Sequence, residues 1–358
     1  MNFASDNVMG ASAPVLEALV RANDGAEAAY GADSVTARVE QRFHDIFERE
    51  AAVFLVTTGT AANALALAAA VPPWGLCLSH QEAHVIDDEC GAPEFFSHGA
   101  KLAGLPGAGG KLAPATVETF LAGLPGNVKQ MPPSALSIAQ VTEGGLIYQV
   151  EEIAAVAQIC RGRGLKLHMD GARFANALVA LGCTPAEMTW KAGVDILSFG
   201  ATKNGCLAAE AVVVFDPGLA ESLAYRRKRA GHLLSKGRFV AAQFEGYLGA
   251  DHWLDNAHHA NAMARRLSEQ LAAVPGVRLA WPCEANEVFV ILPRTVDRAL
   301  KEAGAVYHPW SVKSLAEGTS LGADETLVRL VMSFATRLAD VERFVEVARG
   351  APRRGAAA

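Results

Sequence analysis

The sequence predicts an α/β fold, a mostly parallel sheet with helices on both faces, followed by a small α+β C-terminal domain. Between residues 53 and 215 short apolar runs of strand type alternate with helical stretches, as expected where helices form the crossovers between parallel strands. After Asp216-Pro217 the pattern changes to long helices, and strand and helix alternate again only toward the C-terminus. The predicted division is a large domain over 1–245, with segment 1–14 near its active site, and a small domain over 246–358.

Taken in order, residues 1–14 are polar, and helical spacing of apolar positions follows over Val15 to Arg21 and over Ser34 to Glu50, with Ser34 as N-cap. Tyr30-Gly31 between them reads as a turn. Val53 to Val56 is a buried strand, and Thr57-Thr58-Gly59-Thr60 turns it into the alanine-rich helix Ala61 to Ala70. Further strands are expected at Leu76 to Leu78, Ala135 to Val141, Leu165 to Met169, Ile196 to Phe199 and Ala211 to Phe215, with helices at Val150 to Arg163 and Ala172 to Leu181. Long helices follow over Gly218 to His232 and from Gly237 through Asn256 to Val274. The tail reads as strand or helix at Val277 to Ala280, Glu287 to Leu292, Val296 to Ala303, Leu327 to Phe334 and Asp340 to Val347. Gly104 to Gly110, Pro132-Pro133 and the stretch around Glu317-Gly318-Thr319 are expected loops, the last one movable on ligand binding, and Arg353 to Ala358 should fray.

Composition narrows the function classes. With 358 residues, 51% apolar and 20% charged, the chain has the make-up of a globular protein, and a net charge of −6 offers no basic footprint for nucleic acid. No apolar run approaches the ~20 residues that cross a bilayer, and Met1-Asn2-Phe3-Ala4-Ser5-Asp6 lacks a basic region followed by an apolar one, so a cytoplasmic protein without membrane contact is expected. Six cysteines are scattered without Cys-x-x-Cys spacing, which argues for free thiols and against structural zinc. Cys206, near Lys203, reads as a buried filler. His252, His258 and His259 read as a solvated helix face; no metal is expected.

Lys203 follows an apolar strand among small residues, where an amine can reach a pocket, and Asp170 ends the strand before it. A lone lysine or an Asp-Gly pair usually belongs to a solvated loop or turn. Together at two strand ends they suit pyridoxal phosphate, with Lys203 holding the aldehyde as a Schiff base and Asp170 keeping the pyridine nitrogen protonated. The turn Thr58-Gly59-Thr60-Ala61-Ala62-Asn63 offers free N–H groups and a helix dipole to a phosphate, although such turns commonly serve packing. His84 can lie on the ring, move a proton, or be structural. Arg173 faces the same mouth as Asp170. Arg329 interrupts an apolar strand and needs an anion, either a bound carboxylate or an internal Asp or Glu.

Ser5-Asp6-Asn7, Ala29-Tyr30-Gly31, Gly59-Thr60-Ala61-Ala62-Asn63, Ala83-His84, Asp88-Glu89, His168-Met169-Asp170-Gly171-Ala172-Arg173 and Thr202-Lys203-Asn204-Gly205 together resemble the low-specificity L-threonine aldolases, in the aromatic amino acid beta-eliminating lyase/threonine aldolase group of fold-type I pyridoxal phosphate enzymes. The resemblance covers nearly the whole chain and thins in the small domain. It implies a transferase-like fold-type I architecture and a lyase that cleaves L-threonine and related β-hydroxy amino acids to glycine and an aldehyde. It implies further that Lys203 binds the cofactor aldehyde, Asp170 pairs with the ring nitrogen, His84 stacks on the ring, and Gly59, Thr60, Asn63 and Thr202 surround the cofactor with Arg173. Ser5, Arg173 and Arg329 would hold the substrate carboxylate. Tyr30 and Lys228 would reach a neighbouring subunit's site in a homotetramer built from dimers. Some members carry a histidine in the loop that here reads Gln140-Val141-Thr142-Glu143, so Glu143 or Thr142 is expected to serve the β-hydroxyl. The same residues would also suit β-elimination, transamination, or a silent cofactor-binding subunit.

Overall fold

The structure, a computed structural model, describes residues 1–313, 315 and 319–351. The expected mobile loop at Glu317-Gly318 and the expected frayed tail lie outside the described residues. Seven strands, β1 (Ala52–Val56), β2 (Leu76–His80), β3 (Lys101–Leu105), β4 (Pro133–Ala139), β5 (Lys166–Gly171), β6 (Ile196–Gly200) and β7 (Glu210–Val214), form one sheet in the order β1-β7-β6-β5-β4-β2-β3. Only the pairings that involve β7 are antiparallel. Its first residue, Glu210, therefore pairs with both Val56 and Gly200, at the C-terminal ends of β1 and β6.

The fully buried β6 (ILSFG) lies between layers of helix, as the sequence pattern requires. On one face Phe199 meets Phe43 at 5.3 Å and Phe174 at 5.2 Å between ring centroids, tying helices Ser34–Phe47 and Phe174–Leu181 to the sheet. On the other, Ala61, Ala62, Leu65 and Ala66 of helix Gly59–Ala70 pack on Ile196 and Val212. A second sheet is wholly antiparallel, in the order β10-β11-β9-β8, from β8 (Arg278–Leu279), β9 (Glu287–Pro293), β10 (His308–Pro309) and β11 (Glu325–Val331). Helix His252–Ala272 serves both parts: Trp253 and Ala257 enter the large core, and Ala264, Leu267 and Leu271 the small one. The N-terminal segment also joins the second sheet, because the Phe3 N–H donates to Val306 O and Phe3 O accepts from the Val331 N–H.

Several local expectations change. The cap of helix Ser34–Phe47 is Asp33, which accepts from the Thr36 N–H at 2.8 Å; Ser34 instead donates to Glu27. β1 is an edge strand that pairs only with β7. Gly104 and Leu105, expected in a loop, end β3, a half-exposed edge strand of five residues, too short to show a clear alternation. Helix Pro114–Ala122 went unrecognised as well. The single long helix expected from residue 237 breaks at Gly249–Asp251, where Ala250 (φ 49°) and Asp251 (φ 56°) turn left-handed. The predicted division after residue 245 falls inside helix Arg238–Leu248.

Candidate active site

A cavity of about 400 Å³ opens at the C-terminal ends of the parallel strands, the usual place for a ligand in such sheets. Gly59, Thr60, Asn63, His84, Glu143, Asp170, Thr202 and Lys203 all line it, together with Asn7, Thr57, Thr58, Ala172, Ser198, Leu207, Ala208 and Glu210.

The turn into helix Gly59–Ala70 is shaped by Thr58, whose side chain accepts from the Ala61 N–H at 3.1 Å. That leaves the Gly59 and Thr60 N–H groups without a protein partner among the described residues, at the positive end of a 12-residue helix. A Cβ placed at Gly59 would meet no atom within 4 Å, so the backbone is open there. Thr202 lies in the turn after β6, its hydroxyl accepting from the Ala209 N–H at 3.2 Å.

Asp170 ends β5 with both oxygens engaged: Oδ2 accepts from Asn63 Nδ2 at 2.8 Å and Oδ1 from the Ala172 N–H at 3.0 Å. The same Asn63 amide nitrogen donates to Glu89 Oε1 at 2.8 Å, and Glu89 Oε1 lies 2.8 Å from His84 Nδ1. This hydrogen bond raises the pKa of His84 against the opposing effect of burial. Burial is what raises the carboxyl of Glu89. Asn63 Oδ1 and Glu89 Oε2 remain buried without a hydrogen-bond partner among the described residues. Behind Asp170, His168 is clamped between Ser137 Oγ (2.8 Å) and Ser198 Oγ (3.0 Å), and burial lowers its pKa to about 4 although Asp170 pulls the other way.

Lys203 stands in the turn after β6 with no hydrogen bond or ion pair among the described residues. Near it Glu210 is buried, and that burial lifts its carboxyl to about 7, opposed by Thr202 and Lys203. Pyridoxal phosphate fits these residues: two open N–H groups for its phosphate, a fixed carboxylate for its ring nitrogen, and an unpartnered amine for its aldehyde.

The remaining expected residues do not line the cavity. Ser5 caps the short turn Asp6–Val8 by accepting from the Asn7 N–H. Arg173, expected to face the mouth, is buried and turned to Asp6 and Glu287 instead. Arg329 lies with its guanidinium carbon 4.4 Å from the Trp310 ring centroid and its Nη1 3.8 Å from Glu287 Oε1, so the internal carboxylate considered for it exists. Tyr30 and Lys228 form a separate pair, the ammonium 4.7 Å from the ring centroid. Thr142 is committed elsewhere, its hydroxyl accepting from the Leu146 N–H at 3.1 Å in its own turn and donating to Gly109 O at 2.7 Å, which leaves Glu143 as that loop's residue in the cavity. Cys206 is buried and Cys206 Sγ contacts Gln243 O. His252 is bonded to Ser12 and His259 to Thr336 O, so neither is simply a solvated face.

Asp6, Glu89, Glu210 and Glu287 were not singled out from the sequence as site residues. Glu287 carried a usable signal, a charge at the start of an apolar strand, like that of Arg329. Glu89 did not, since Asp87, Asp88 and Glu89 stand together and only the fold selects which turns inward.

The model of the beta-eliminating lyase family matches residues 2–294, and the chain belongs to that family. It is 45% identical over 347 residues to the low specificity L-threonine aldolase of Pseudomonas aeruginosa, covering 97% of this chain and 96% of that protein. A Pseudomonas sp. enzyme of the same name is 46% identical over 302 residues, 84% of this chain and 87% of its own length. The structure of Leishmania major threonine aldolase superposes with a TM-score of 0.88 at 30% identity, covering 97% of this chain and 98% of that one. The architecture is that of fold-type I pyridoxal phosphate enzymes.

Proposed function

We propose that the protein is a pyridoxal phosphate-dependent carbon–carbon lyase that cleaves L-threonine, L-allo-threonine and related L-β-hydroxy-α-amino acids, phenylserine-like ones included, reversibly to glycine and an aldehyde. The observation that carries this reading is the unpartnered amine of Lys203 sharing one cavity with the fixed carboxylate of Asp170, in a chain so similar to L-threonine aldolases. Bound pyridoxal phosphate supplies the electron sink for the pair released when the Cα–Cβ bond breaks.

The chain's own residues do the rest. Gly59, Thr60 and Thr202 hold the phosphate, and Asn63 fixes Asp170 and Glu89 at once, so the ring-nitrogen carboxylate and the His84 imidazole keep one relative placement. Arg329 takes the substrate carboxylate, its Nε being buried without a partner among the described residues. Arg173 supports it from the Asp6 side. His84 or Glu143, both in the cavity, accepts the proton of the β-hydroxyl. Ala172 and Ala208 keep the wall short, which leaves room for varied β-substituents.

The proposal includes a cytoplasmic homotetramer. No helix among the described residues is long and apolar enough to cross a membrane, and Tyr30, with Lys228 over its ring, is exposed; sedimentation would measure the assembly. Incubation with L-threonine, L-allo-threonine and L-phenylserine, with glycine and aldehyde both quantified, tests the activity. Ammonia and a keto acid in their place would mean β-elimination, the reaction in the family's name. Transfer of the amino group to a keto acid would mean an aminotransferase, and no turnover a silent subunit. Borohydride reduction of the holoenzyme should label Lys203; a label on Lys191 or Lys228 would sink the assignment.

A further inference from the structure

Four charged side chains from four parts of the chain meet beside the cavity: Asp6 from the N-terminal segment, Arg173 from the turn after β5, Glu287 from β9 and Arg329 from β11. Their shares are unequal. Asp6 accepts two hydrogen bonds from Arg173, at 2.8 and 3.2 Å, and one from Asn286 at 3.2 Å. Glu287 has Arg173 Nη2 at 3.3 Å and Arg329 Nη1 at 3.8 Å, and both of its oxygens are buried without a hydrogen-bond partner among the described residues. The Nε of Arg329 is equally unmet among them. Glu287 and Arg329 are held together by register: Arg329 pairs with Phe289, which puts Glu287 one diagonal step away on the same face of the sheet. The loop bearing Glu143 packs on this face. Any Cβ on Gly145 would lie 2.8 Å from the Phe289 ring and 3.3 Å from Glu287 Cβ, so the cavity wall rests on Glu287.

A carboxylate that arrives at Arg329 meets a site whose two arginines are already matched by two buried carboxylates. Two carboxylates sharing one guanidinium in a dry site cannot both keep their charge cheaply, and the less hydrogen-bonded of them is the one to give way. We propose that Glu287 is a proton-coupled counter-ion of the substrate: it balances Arg329 in the unliganded protein and takes up one proton as an amino-acid carboxylate docks there. This rests on the reading of Arg329 as the carboxylate anchor. The groups facing Glu287 are Arg173 and Arg329, which favour its anion, and Asp6, Glu143 and the Cys283 thiol, which do not. Burial outweighs the two arginines and already raises its pKa. Asp6 is held below the usual carboxylate range, its own burial penalty being outweighed by Arg173 and Lys203, so it is not the member that takes the proton.

The test compares wild-type and Glu287→Gln holoenzyme by titrating glycine and glycinamide from pH 6 to 9 and following the cofactor absorption band. The amine of each ligand titrates identically in both proteins and cancels in the ratio of dissociation constants. For glycine the wild-type to variant ratio should rise with pH, by about tenfold per unit once Glu287 is ionised, with the variant binding roughly tenfold or more tightly at pH 8. For glycinamide, which lacks the carboxylate, the ratio should stay flat. A glycine ratio independent of pH, or weaker binding by the variant, overturns the proposal. Should Glu287→Gln not fold, calorimetry of the wild type with 3-hydroxybutyrate, in buffers of different ionisation enthalpy, should show net proton uptake on binding; no uptake is equally fatal. Neither readout requires bond cleavage. Absence of glycine and aldehyde products would end the aldolase reading alone, whereas an unchanged glycine constant in Arg329→Ala would end the anchor reading and this proposal with it.

Discussion

The cluster around Asp170 and the quartet of Asp6, Arg173, Glu287 and Arg329 are both charged and largely withdrawn from solvent, and they are satisfied to different degrees. Asp170 is gripped at 2.8 and 3.0 Å by partners on two elements, and Asn63 links it to Glu89 and His84. Glu287 and Arg329 face each other at 3.8 Å, each with buried atoms that bond nothing. A group that tunes a cofactor must not move, and hydrogen bonds on every side hold it still. A group that receives a substrate has to exchange partners, and loosely met charges lower the cost of that exchange. On the proposed reading, the contrast separates a fixed electronic frame from an adaptable anchor.

Removing the charge from the fixed frame should do the most damage. Asp170→Asn keeps the shape of the side chain but cannot hold a cationic ring nitrogen, so kcat should fall by roughly 100- to 1000-fold while the cofactor stays bound. Steady-state kinetics beside the visible spectrum decide it; a wild-type kcat would show that Asp170-Gly171 is only a turn.

The next largest effect concerns the β-hydroxyl proton. His84→Asn should lower kcat by roughly 100-fold, with Glu143→Gln much milder, because His84 already belongs to the Asn63–Glu89 frame. Since Glu89 raises the His84 pKa, the neutral, proton-accepting form is lost as pH falls through that raised value, and the acid limb of the kcat profile should vanish in His84→Asn. The reverse order of damage would pass the role to Glu143.

Arg329→Ala should raise KM by about 10- to 100-fold, the equivalent of about 1.5 to 3 kcal/mol for a charge-assisted hydrogen bond, with cofactor content intact. Unchanged KM would leave Arg329 as a structural partner of Glu287 and erase the contrast.

The smallest effect is on stability. His168 has its pKa lowered to about 4 by burial, so its neutral form is favoured in the folded state; stability is full above the unfolded value near 6.5 and declines below it. By pH 5.5 about 1.4 kcal/mol should be lost on this account, seen as a lower urea midpoint, and His168→Gln should flatten that dependence.

Lys203, Asp170 and the Thr58-Gly59-Thr60 turn were legible because each ends a short apolar run, and strand periodicity places a strand end without knowledge of its neighbours. The apolar alternation likewise foretold the parallel sheet and its helices. It did not show that β1 and β3 lie at the edges, because pairing order is a matter of topology and not of local pattern. Arg329 announced that an anion was needed, since a charge in an apolar strand must be compensated, but not which one. That was decided by contacts between residues far apart in the chain: Arg173 with Asp6, and Glu287 with both arginines. The residues proposed to do the chemistry stand at the ends of strands. The balance of charge among Asp6, Arg173, Glu287 and Arg329 arises only where the N-terminal segment, β5, β9 and β11 converge, because burial and distance, which set that balance, are properties of the folded chain alone.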